Sequence, residues 1–218
     1  LRREVLGSEH DDTLSAMDML ASVHTQLGHT DQALEVRREL LKTLEKKMGS
    51  KAPETLKAMN ALGFALAHAG RRDDALRLQE QVLALSPEVR GPEDLGTLWV
   101  MIGLASGYRE NGQFDQAIKL GESGLGLFRK IAGPEHPDTL NAMTELAISY
   151  QVANRLDDAV ALEEKALALK RLHLPPGDAG TLESIENLAI CHEKAGRRAQ
   201  AEALRKELAE IRTGPSTL

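Results

Sequence analysis

Two clusters of histidine and acid are the first places in this chain where side chains could do chemistry. Glu9-His10-Asp11-Asp12 and Glu135-His136-Pro137-Asp138 each set an imidazole among carboxylates, a donor set that metals use. Cys191 beside His192 offers a thiol and a base, the parts of a cysteine nucleophile. Gly124-Leu125-Gly126 carries a fragment of a nucleotide-binding glycine loop. Position argues against all of them. The two histidine–acid clusters fall at the same point of a repeating unit, which marks them as turn residues. Neighbouring residues on a helix point apart, so Cys191 and His192 do not face one substrate. The glycine pair lies within a helical pattern, with no strand before it, and there is no phosphate-binding loop. His24 and His192 share a column with Tyr108 and Tyr150 and read as packing or capping residues. No metal, no cofactor and no catalytic residues are expected.

The unit that places these residues is 42 residues long and occurs five times without insertion or deletion. Thr-Leu pairs mark it at Thr13-Leu14, Thr55-Leu56, Thr97-Leu98, Thr139-Leu140 and Thr181-Leu182. Ala33, Ala75, Ala117, Ala159 and Ala201 keep the same step, as do Gly28, Gly70, Gly112, Asn154 and Gly196. A strict period over so long a stretch means stacked like units, each burying its apolar face against its neighbours. The repeats run over about 5–47, 48–89, 90–131, 132–173 and 174–215, and residues 5–212 form a single domain in this reading. Residues 1–4 align with the end of an earlier second helix, so the chain reads as part of a longer protein. Residues 213–218 read as a polar tail.

Each unit holds two amphipathic stretches on either side of its Gly marker. In the fourth, Leu140, Met143, Leu146-Ala147 and Tyr150 recur at three- and four-residue steps, one buried helical face. Pro137, Asp138 and Thr139 suit a helix's first turn, and Asn154 suits its left-handed end. A second helix follows from Leu156, where Ala159 allows close approach and Leu162, Ala166 and Leu167 continue the apolar face. Gly- and Pro-rich turns restart the cycle. No segment alternates with the period of a strand. The fold class is therefore all-α: ten helices in five antiparallel pairs, about 15 residues each, coiled into a superhelical solenoid with a concave inner wall. The third unit holds eight of the eighteen glycines. Close helix packing, a soft hinge and neutral drift are all open readings of them.

Composition bounds the function. Aromatics are only 3% of the chain, so aliphatic residues and Ala must fill the core, as helix-on-helix packing allows. A net charge of −6 without long runs of one sign argues against nucleic acid or an anionic membrane as the main partner. There is no membrane span or signal-peptide pattern. One cysteine excludes an internal disulfide framework and suits a reducing compartment, which predicts a cytoplasmic protein.

Gly-Pro-Glu-His-Pro-Asp-Thr-Leu at 133–140, followed by Ala142-Met143, Leu146-Ala147, Tyr150, Asn154-Arg155 and Asp158-Ala159, resembles the kinesin light chain type of tetratricopeptide repeat. The resemblance spans essentially the whole chain. It implies a right-handed superhelix of helix-turn-helix repeats whose first helices line the concave wall. Such repeats accompany kinases, nucleotide-binding switches and cargo adaptors alike, so the family sets the repeat class rather than a pathway.

With that geometry, non-core positions of the first helices become the binding candidates. The lining columns are Ser15, Lys57, Trp99, Asn141, Glu183; then Asp18, Asn60, Ile102, Thr144, Glu186; and Met19, Ala61, Gly103, Glu145, Asn187. One turn on come Ser22, Phe64, Ser106, Ile148, Ile190, then Thr25, Ala67, Arg109, Gln151, Glu193. Phe64, Trp99, Ile102 and Ile148 form the expected apolar floor, and Glu183, Glu186 and Glu193 an acidic wall. Apolar anchors beside acids suggest a peptide with bulky apolar residues and nearby Lys or Arg. Asn60 and Asn187 stand where the family often carries an Asn that holds a partner's backbone. Lys57, Asn60 and Arg109 are what remains for clamping a terminal carboxylate. The expected function is a scaffold that docks a peptide or protein in its concave groove, with self-association through terminal repeats as a further possibility. The alternative is a regulatory or structural array packed against a kinase or nucleotide-driven switch domain of a longer parent.

Overall fold

The computed structural model describes residues 6–175 and 177–213, and among these it contains ten helices and no strand. They are α1 (Asp11–Gln26), α2 (Thr30–Met48), α3 (Pro53–His68), α4 (Arg72–Val89), α5 (Leu95–Glu110), α6 (Phe114–Ile131), α7 (Pro137–Val152), α8 (Leu156–His173), α9 (Ala179–Lys194) and α10 (Arg198–Thr213). The expected all-α, tetratricopeptide-type solenoid of helical hairpins is the observed class. The preceding-helix residues 1–4 lie outside the described residues, and so does the expected tail, apart from Thr213, which ends α10.

The helices gather into two compact units, Leu1–Asn111 and Gly112–Leu218. In the first, α1–α2 and α3–α4 are hairpins, and α3 and α5 stack on α2 and α4. In the second, α7–α8 and α9–α10 are hairpins, with α6 against α7 and α8 against α9. Both units therefore build their cores in the same way, from one face of each helix.

Each periodic marker has a mechanical task. The Thr of the Thr-Leu pair reaches back six residues: Thr55, Thr97 and Thr139 donate their hydroxyls to the carbonyls of Gly49, Gly91 and Gly133 at 2.8, 2.9 and 2.7 Å. Those glycines turn the chain at φ of 86°, 101° and 100°, which only glycine adopts at little cost. In the fifth repeat Pro175 takes that place, and the buried Thr181 hydroxyl has no partner among the described residues. The Ala column is 0–3% exposed throughout, the small residue that lets paired helices touch.

First helices end in a left-handed residue: φ is 73–75° at Gly28, Gly70, Gly112 and Gly196, and 60° at Asn154. The amide after it bonds back across the turn, Arg71 N–H to Leu66 C=O and Arg155 N–H to Tyr150 C=O, both at 2.9 Å. Asn154→Gly is expected to change stability by no more than about 1 kcal/mol. Asn154→Val should cost about 1–2 kcal/mol, because a β-branched side chain is forced into left-handed backbone. Urea unfolding of the two variants checks this.

The glycines of the third repeat serve close approach at several points. A Cβ on Gly107 would stand 2.8 Å from Gln79 Oε1 and 3.0 Å from Leu76 Cδ2. One on Gly103 would meet the Phe64 ring at 3.3 Å, and one on Gly121 would meet Leu146 at 3.0 Å. Gly126 has open space around it, and crowding does not explain it.

Candidate partner-binding surface

The histidine–acid clusters prove to be helix starts. His10 Nδ1 accepts the Asp12 N–H, and His136 Nδ1 the Asp138 N–H, each at 3.2 Å. Asp94 and Asp178 do the same work for α5 and α9, accepting from the amides of Thr97 and Thr181. No three histidine, cysteine or acidic groups among the described residues come close enough to hold a metal ion. Cys191 is buried, its sulfur accepts from Gln151 Nε2 at 3.2 Å, and burial pushes its thiol pKa up. A raised thiol is a poor nucleophile. His192 is 6% exposed, lies 3.8 Å from Glu164, and is lowered by burial. His24 packs against His29 with the rings tilted at 45° and their centroids 5.6 Å apart.

In the first unit, the lining columns of α1, α3 and α5 meet. A cavity of about 180 Å³ opens between α1, α2 and α3, floored by Leu14, Leu40, Leu44 and Ala58. Ser15, Asp18, Glu54, Lys57 and Ala61 form its rim. Lys57 is exposed, and it makes no hydrogen bond or ion pair with the described residues. Asp18 is tied to Arg37 of α2 at 3.4 Å. One turn along α3 from the rim, Phe64 is 44% exposed and lays its ring edge against Gly103 of α5. Trp99, one turn before Gly103 on the same face of α5, is 36% exposed. Gly103 is thus the gap into which Phe64 fits. Asn60 is half-buried, and Arg109 is half-buried with its guanidinium donating to Ser106 Oγ at 2.7 Å.

Ile102 is a correction. It is 4% exposed and belongs to the core rather than to an apolar floor. The physical reason lies in its column, one helical step from the wall, which turns toward the repeat's own second helix. Asp18 meets Arg37 from that column, and Thr144 meets Glu163 at 3.3 Å, both nineteen residues on.

In the second unit, Asn141, Glu183 and Glu186 are exposed, and Ile148 and Asn187 half-buried. Asn141 lies across from the first turn of α9, its Oδ1 4.0 Å from where a Cβ on Gly180 would be. The acidic wall is largely neutralised by α10: Arg212 pairs with Glu186 at 3.2 Å, and Arg205 with Glu193. The Nδ2 group of Asn187 is buried without a partner among the described residues. Sequence reasoning missed Leu40 and Leu44 as the cavity floor, because only the second helix supplies them. It also missed a buried set of polar residues around Glu163 and Lys170, although both interrupt an apolar pattern.

Tetratricopeptide repeat models match residues 16–52, 54–130 and 106–171 of the chain. The nearly identical TPR-like repeats of a Podosopora anserina protein described as a kinesin light chain are 27% identical to it. The match has a TM-score of 0.82 and covers 96% of this chain and 99% of that one. BtubC (BKLC) from P. vanneervenii has the same fold at a TM-score of 0.81 and 20% identity, over 97% of this chain and 86% of that one. MamA from Desulfovibrio magneticus RS-1 follows at 0.64 and 15% identity, over 94% and 97%. No curated protein matches the chain.

Proposed function

The chain belongs to the tetratricopeptide repeat family, and from that premise we propose that it is a protein-interaction module whose first-helix face docks a peptide or protein segment. Docking is reversible, on a largely preformed surface, and has no catalytic step. The observation that carries the reading is the pair of exposed aromatics, Phe64 one turn along α3 from the cavity rimmed by Asp18, Glu54 and Lys57, and Trp99 on α5. Tetratricopeptide repeats are in general protein-binding scaffolds, and half-exposed aromatics have the form of a binding hot spot.

The partner in this reading places a bulky apolar side chain in the cavity. Lys57 and Asn60 meet its backbone or an acidic group, and Glu54 a basic one. Within the second unit, Asn141, Ile148, Glu183 and Asn187 hold the corresponding first-helix positions. Arg109 and Glu186, held by Ser106 and Arg212, contribute less. Peptides selected from a random library on the immobilised chain provide the test. Trp99→Ala should weaken the selected peptides by more than ~1 kcal/mol while the far-ultraviolet helical signal stays unchanged. Unchanged affinity would remove Trp99 from the site.

A second reading, the array packed against another domain or another copy, draws on α1 and the residue that follows it. Leu20, Val23 and Leu27 are 47%, 47% and 63% exposed there. Light scattering over a concentration series separates self-association from a monomer with a bare face.

A further inference from the structure

Inside the second unit is a polar cluster that the binding reading does not use. Glu163 of α8 is fully buried and Lys170, two turns along the same helix, is 1% exposed. They make no direct ion pair; the Thr144 hydroxyl of α7 stands between them, 3.0 Å from Lys170 Nζ and 3.3 Å from Glu163 Oε1. Lys170 also donates to Ser184 Oγ at 2.8 Å and to the Gly180 carbonyl at 3.2 Å, both on α9. Three helices therefore share one set of hydrogen bonds. Its weak point is Glu163 Oε2, which is buried with no partner among the described residues.

The second and third repeats carry neutral residues at both positions, while the first and fifth place arginines, Arg37, Arg205 and Arg212, in these columns. Gln79 stands 84 residues before Glu163 and is 3% exposed; Phe128 stands 42 before Lys170 and is 0% exposed. Stacking alone does not require an ionisable pair here. The charges that act on the carboxyl are Lys170 from its own helix and Glu183 from α9. Asp178, in the turn before α9, and Glu183 act on Lys170, while the Cys191 thiol of α9 lies within reach of Glu163. From α7 comes the Thr144 hydroxyl.

We infer that this cluster is a proton-operated latch: with Glu163 protonated, α9 is held on α7 and α8, and loss of that proton loosens α9. A buried neutral carboxyl needs little from its surroundings, whereas a buried carboxylate with an orphan oxygen needs water. Opening α9 supplies that water. Burial pushes the Glu163 pKa up to about 7, against lowering contributions from Ser184, Lys170 and Thr144. Burial likewise lowers Lys170. The sign follows from linkage. Since the folded pKa of Glu163 is raised, its stabilising effect is complete below the unfolded value near 4.5 and is lost as pH rises through about 7. The inference stands apart from any reading of the partner surface.

Hydrogen exchange of the full chain at pH 6 and pH 8, corrected for intrinsic rates, tests it. The opening constant of α9 amides should rise about tenfold between the two, while α3 in the first unit does not respond. Glu163→Gln should abolish the difference. The double variant Glu163→Gln/Lys170→Met removes both ionisable groups, avoids an unpaired lysine, and should also be flat. Equal α9 protection at both pH values in the wild type would overturn the latch, as would a tenfold response that survives in either variant.

Discussion

Leu62→Asp should unfold the first unit, while Leu20→Asp, the same change 42 residues earlier, should leave it folded. The two leucines occupy one position of the repeat, yet Leu62 is 5% exposed and Leu20 47%. Leu62 lies in a core shared with Leu40, Leu41, Leu44, Leu66 and Val82. An aspartate there is set among aliphatic side chains and loses the leucine's burial, a cost of roughly 4 kcal/mol or more. That is a large part of the stability of any ordinary domain, about 5–15 kcal/mol. At position 20 the carboxylate meets water, and the expected cost is below about 1 kcal/mol. Urea denaturation of both variants reads the contrast directly. Similar losses at the two sites would mean that α1 is covered in solution.

The second large effect concerns Lys170. Lys170→Met should destabilise the second unit at pH 8 by about 1–2 kcal/mol through charge alone, because the Glu163 carboxyl, which titrates at about 7 with the lysine nearby, must then take up a proton or stay charged without that cation. Near pH 5 the loss should be much smaller, because Glu163, already raised to about 7 with the lysine present, is then neutral. The sign is fixed: a carboxyl whose folded pKa is raised withdraws stability as pH climbs. Adding Glu163→Gln should recover most of the loss at pH 8, leaving the lost Lys170 hydrogen bonds to Ser184 Oγ and the Gly180 carbonyl as the residual cost. Thermal unfolding of the single and double variants at both pH values gives the comparison. A Lys170→Met penalty independent of pH would place the cost in packing rather than in charge.

Most of the fold could be read from the sequence because the period carries it. Thr55, Ala75, Gly70 and Leu62 each satisfy one local demand, and the same demand returns every 42 residues. A residue that departs from its column is therefore visible, as with Asn154 at a left-handed helix end. The surface was harder to read. Trp99 and Ile102 both lie on α5 at columns next to one another, but only three residues' rotation separates an exposed indole from a core isoleucine. Helical spacing fixes direction to within about a turn's quarter, too coarse to assign an edge position. Glu186 and Glu193 looked available because Arg212 and Arg205 approach from another helix, a pairing that spacing along one helix does not contain. The Glu163–Lys170 set was hidden for the same reason: it closes through Thr144 and Ser184 on two other helices.

The binding account is tested most directly by mapping amide and side-chain NMR shifts of the labelled chain with a selected peptide. It predicts that the largest changes in the first unit fall at Ser15, Lys57, Ala61, Phe64, Trp99 and Ser106, on α1, α3 and α5. Changes confined to the solvent face of α2 and α4, with the Trp99 indole signal unmoved at saturation, would contradict it.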